Sequence, residues 1–132
     1  MDNGTFEQVA ATHGVRLLVQ FGSTVRGRAH GASDVDLGVV LEQSNPDFHE
    51  YGALVEDLQR SFPDRPVDVA ILNHADPLFL KQVMDGATLL YGSTRQFQEL
   101  KILAFKRYQD HRRFLALERE VVARRLNGEA RT

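Results

Sequence analysis

Cysteine is absent from the whole chain, which rules out disulfides and thiolate metal ligands. No stretch approaches the ~18–20 apolar residues of a membrane span. The first residues, MDNGTFEQ, have neither the basic start nor the apolar run of a secretory signal. These absences make a soluble, cytoplasmic protein the expectation. A basic main body is missing too. Residues 1–98 carry 7 Lys or Arg against 13 Asp or Glu, a net −6, while residues 99–132 carry 9 against 5, a net +4. Nucleic-acid binders usually present a basic face on the main body, so nucleic acid is not expected as the direct substrate. Internal repeats and low-complexity segments are also lacking.

What is present fits one domain over residues 1–132, with 42% hydrophobic residues to build its core. Thr5 to Gln8 has the pattern of a capping box, and Gly14 suits the left-handed position that ends a helix, so a helix is predicted near 5–13. Val15–Phe21 reads as a strand with Val15, Leu17, Val19 and Phe21 on one face. Gly22 to Ser33 is polar and reads as a loop. Asp34–Glu42 is a second strand, with Val35, Leu37, Val39 and Leu41 opposite Asp34 and Asp36. Asn45-Pro46 predicts a helix start, and Phe48, Tyr51, Leu54, Val55, Leu58 and Phe62 recur at helical spacing. Val67–Leu72 is a third strand with Asp68 opposite its apolar residues. Asp76-Pro77 starts a short helix ending near Gly86, Thr88–Tyr91 is a brief strand, and one long helix runs from about 95 to 127. The core is expected over about 5–92. The alternation gives an α/β (α+β) domain. Strands with apolar residues on one face and carboxylates on the other predict a sheet with helices on one face and an open acidic side.

The chemistry concentrates in FGSTVRGRAHGASDVDLGVV, residues 21–40. Aspartate is depleted in strands. Asp34 and Asp36, two apart, set like charges side by side, and a divalent cation offsets that repulsion. Mg²⁺ takes oxygen ligands and keeps positions open for phosphates. Asp68, by strand parity, adds a third carboxylate if its strand lies beside the second, and three converging carboxylates suit two-metal phosphoryl or nucleotidyl transfer. Singly, each aspartate reads as an exposed surface charge; the combination favours metal ligation. Gly22 lets backbone approach a ligand, and N–H groups at a turn opening a helix hold anions. The Ser23 hydroxyl adds a donor. Arg26, and less directly Arg28, lie within reach of a triphosphate. The loop is neither a Walker A motif nor a dinucleotide fingerprint.

Gly22-Ser23, ten residues, then Asp34-x-Asp36 in an apolar strand resembles the polymerase-β-type nucleotidyltransferase superfamily, and Asp68 matches its third carboxylate. The resemblance covers about residues 14–92. In size and spacing the chain looks most like the minimal nucleotidyltransferases (MNT), antitoxins paired with HEPN-domain ribonuclease toxins. The resemblance implies a polymerase-β-like fold with a mixed or antiparallel sheet, ATP as donor and Mg²⁺, two ions, as cofactor. It also implies transfer of AMP to a tyrosine hydroxyl of the partner toxin. Carried over by residue, Gly22 and Ser23 bind the triphosphate, Asp34 and Asp36 ligate both metals, and Asp68 ligates the catalytic metal and helps deprotonate the attacking hydroxyl.

Residues 96–126 carry a broken apolar stripe flanked by Lys106, Arg107, Arg112, Arg113, Arg124 and Arg125. This is either a final helix packed on the sheet with a solvated basic face, or a docking element for a partner chain. His30, in the loop, is either a substrate contact or simply exposed. Two other functions stay open: an antitoxin that neutralises by covering its toxin without catalysis, and a small-molecule nucleotidyltransferase acting on an aminoglycoside-like acceptor. The second lacks a helical domain to enclose its acceptor.

Overall fold

The computed structural model describes residues 3–22 and 34–130. In chain order the elements are α1 (Asn3–His13), β1 (Val15–Phe21), β2 (Val35–Leu41), α2 (Phe48–Gln59), β3 (Val67–Ile71), α3 (Pro77–Asp85), β4 (Thr88–Tyr91) and α4 (Thr94–Ala130). The strands form one mixed sheet in the order β3-β2-β1-β4. β1 runs antiparallel to β2 and β4, and β2 and β3 are parallel. The α/β class, the mixed sheet and the long final helix are as the sequence predicts.

Gly14 ends α1 at φ +66, the left-handed conformation expected of it. α2 begins later than the Asn45-Pro46 signal suggests. Its N-cap is Asp47, whose Oδ1 accepts from the Glu50 N–H at 2.7 Å. A charged oxygen facing the free N–H groups of a first turn is the stronger cap. Phe48 therefore falls in the first turn and is 93% exposed, not inward as its spacing suggests. α3 starts as predicted, with Asp76 Oδ1 accepting from Leu78 and Phe79 N–H, and Leu80, Val83 and Met84 buried.

The expectation of helices on one face of the sheet is corrected. One core lies against α1 and α2 and holds Val15, Leu18, Val35, Leu37, Val39, Leu54, Leu58 and Val69. A second core lies on the opposite face under α3 and the first turns of α4, with Leu17, Val19, Leu72, Leu80, Val83, Met84, Phe97 and Ala104. The cause is an irregularity in β1 between Val15 and Leu17, which shifts the parity of the strand. Val15 joins the first core, while Leu17, Val19 and Phe21 turn to the second. β1, central and apolar on both sides, needs cover on both. Only the far end of the second face keeps the acidic character that strand parity predicts.

The parallel β2–β3 register is fixed at both ends. The Val35 N–H donates to the Pro66 carbonyl at 2.8 Å and the Leu72 N–H to the Val39 carbonyl at 2.8 Å. Asn73 closes the pair, accepting from the Leu41 N–H and donating to the Leu41 carbonyl. Before β3, the Gln59 amide holds the turn. Its Nε2 donates to the carbonyls of Phe62 and Arg65, and its Oε1 accepts from the Val67 N–H at 3.0 Å.

α4 is longer than predicted. It passes Leu126 and Gly128 to Ala130, 37 residues in all, or about 55 Å. Phe97 and Ala104 are buried against the body, and Lys81 of α3 sits 5.0 Å over the Tyr108 ring. Residues 112–128 are exposed without exception.

Candidate active site

Three strand ends meet at the acidic end of the second face. β2 supplies Asp36, which pairs in register with Asp68 on β3 and with Phe21 on β1. Cross-strand partners in register point to the same face, so Asp36 stands between a second carboxylate and the turn that follows β1. Asp68 is exposed, Asp36 half-buried, and Asp34, just before β2, exposed.

Electrostatics follow from that placement. Burial pushes the Asp36 carboxyl above its ordinary range, and the negative charges of Asp68 and Asp34 push it further the same way. The Tyr51 hydroxyl, on the other face, is also raised, by burial and then by the charge of Asp68. That hydroxyl donates to the Val69 carbonyl at 2.6 Å, so Tyr51 is a packing residue with a satisfied polar tip.

Gly22 opens the turn after β1 at φ +83. A Cβ at this position would run into the Asp36 carboxylate. Glycine is thus needed twice, for the backbone conformation and for the close approach of turn and carboxylate. Ser23, Arg26, Arg28 and His30 lie outside the described residues.

Beside the carboxylates, Phe21 meets Phe79 of α3 edge-on, with ring centroids 6.1 Å apart at 85°. Sequence reasoning gave Phe79 no place at the site. The only available signal was its position in the first turn of α3, and nothing in the pattern said where that turn would land.

The donor set is oxygen only, with two carboxylates in register and a third just upstream, mutually repelling; this suits a hard divalent ion such as Mg²⁺. The described residues do not, however, draw three His, Asp or Glu side chains into one metal-holding cluster. Asp36 and Asp68 come together in register, and Asp34, just before β2, adds its charge to Asp36.

A mixed sheet with paired strand-end carboxylates beside a glycine turn is the arrangement of nucleotidyltransferase folds. The chain belongs to the polymerase beta nucleotidyltransferase family, whose model (Polymerase beta, Nucleotidyltransferase) matches residues 5–96. No curated protein sequence matches the chain. Among solved structures, it resembles a chain of a toxin–antitoxin with AMP-PNP, at 21% identity and TM-score 0.72, covering 96% of this chain and 98% of that one. It also resembles a chain of the tri-AMPylated Shewanella oneidensis HEPN toxin in complex with MNT antitoxin, at 19% identity and TM-score 0.64, covering 94% of each. At these identities the likeness is one of fold. No described helix is long and apolar enough to cross a membrane.

Proposed function

We propose that residues 1–132 act as one nucleotidyltransferase domain, the antitoxin of a toxin–antitoxin pair, transferring AMP from ATP to a tyrosine hydroxyl of a cognate HEPN toxin in the cytoplasm. The observation that carries this reading is the in-register pairing of Asp36 with Asp68 against the Gly22 turn, within a nucleotidyltransferase-family chain. AMP-PNP and AMPylated toxin in the structures of similar fold support the donor and the acceptor class.

In this reading Asp34, Asp36 and Asp68 hold Mg²⁺, which when bound neutralises the triphosphate and favours charge build-up at the α-phosphorus. Gly22 brings backbone N–H groups close to the phosphates, and Ser23 and Arg26 add donors. Asp68, the more exposed of the register pair, faces the acceptor. A tyrosine hydroxyl has an ordinary pKa of ~10, so its proton must be drawn off, and Asp68 receives it. The phenolate oxygen then forms a bond to the α-phosphorus as the bond to the bridging oxygen of pyrophosphate breaks. Positioning and charge neutralisation do most of the work.

The test is intact mass spectrometry of a cognate HEPN toxin, incubated with this chain, Mg²⁺ and ATP, next to an Asp34→Ala/Asp36→Ala control. A gain of one or more AMP units, lost in the control, is the expected result. No gain while a tight complex still forms favours the second reading, neutralisation by covering.

A further inference from the structure

The outer half of α4 carries Phe114, Leu115, Leu117, Val121, Val122 and Leu126, each between 38% and 61% exposed. At 100° per residue these six cover about half of the helix circumference. Glu118 and Arg125 lie within the same stripe. They are seven residues apart, hence on the same side of the helix two turns on. Among the described residues neither has an ion-pair partner, whereas Arg124 and Glu120, outside the stripe, bridge at 2.7 Å. Opposite charges set inside an apolar stripe are costly to cover unless the covering surface supplies their counter-charges.

We propose that this stripe pairs antiparallel with the same stripe of a second copy of the chain, about a two-fold axis passing between Val121 and Val122. That axis is set by the charges. It brings Glu118 level with Arg125 of the second copy, and Arg125 level with its Glu118, so a self-complementary surface satisfies both. Three other levels of the stripe agree with it. Leu117 falls level with Leu126 of the second copy, and Val121 with Val122. Leu115 meets Gly128, where no atom lies within 4 Å of a Cβ position, leaving room for the leucine. Such an interface is isologous, the commonest form of homo-oligomer contact. It involves no residue of the carboxylate site, so it stands or falls independently of the proposed nucleotidyl transfer.

The test is sedimentation velocity on the full-length chain over a concentration series, with far-UV circular dichroism to verify that each variant keeps its helix. The wild type is expected to dimerise. Glu118→Arg alone, or Arg125→Glu alone, sets like charges opposite each other twice per dimer and should raise the dissociation constant at least about tenfold. The double variant Glu118→Arg/Arg125→Glu should restore the homodimer, and mixing the two single variants should give a heterodimer. A wild type that stays monomeric throughout, a dimer indifferent to the single reversals, or a double variant that fails to recover would each overturn the proposal. The first of these outcomes would leave the stripe to a partner of another kind.

Discussion

Leu37 and Asp36 are consecutive in β2 and look onto opposite sides of the sheet. Leu37 is wholly buried in the core beneath α1 and α2. Asp36 opens toward the acidic end of the other face, where burial and two like charges oppose its ionisation. The first face is apolar along its length and contributes cohesion. The second is divided, with apolar residues under α3 and α4 at one end and mutually repelling carboxylates at the other. Stability and chemistry are thus separated by a rotation of half a turn about one strand.

Substitutions that respect this division should affect one property and spare the other. The largest effect is expected at Leu37→Ala, which should lower unfolding free energy by about 2–5 kcal/mol in a denaturant titration. Asp36→Ala, its neighbour, should cut AMP transfer at least about a hundredfold without loss of thermal stability; a parallel fall in melting temperature would show that the two faces are not separable. Gly22→Ala tests their junction. A left-handed alanine whose Cβ meets Asp36 should cost about 1–3 kcal/mol and depress transfer as well, read by calorimetry and by the mass assay.

The smallest effect is electrostatic. The Asp36 carboxyl titrates above its ordinary range, so the fold disfavours its ionised form. That cost is present at neutral pH and disappears as pH falls and the group takes up its proton. Asp36→Asn should therefore raise unfolding free energy at pH 7 in metal-free buffer, by up to about 1 kcal/mol. The gain should fade as pH falls and the wild-type carboxyl takes up its proton. A gain that persists in acid would place its origin in packing.

Period-two patterning in β2 and β3 made the strands and their carboxylate faces legible, and Asp76-Pro77 marked α3 directly. The β1 irregularity was invisible, because the alternation of Val15, Leu17, Val19 and Phe21 in VRLLVQF reads as a regular strand and carries no mark of the shift between Val15 and Leu17. That one step decided that both faces would be covered. The start of α2 was misplaced because Asn45 and Asp47 are both competent caps and only the finished turn shows which oxygen faces the free N–H groups. The pairing of Asp36 with Asp68 depended on β3 lying beside β2, a matter of topology that a single strand's pattern does not contain. Phe79 came to the site through the packing of α3 on Phe21, equally a tertiary outcome.

Gln59 has a consequence of another kind. Its amide ties Phe62, Arg65 and Val67 into one turn, and that turn sets how far along the sheet β3 begins. The height of Asp68 beside Asp36 is therefore measured out by a side chain on a different helix that meets neither substrate nor ion. In a genetic screen a Gln59 variant would resemble an active-site lesion, and among homologues drift at this position would shift one carboxylate past the other before any carboxylate was replaced.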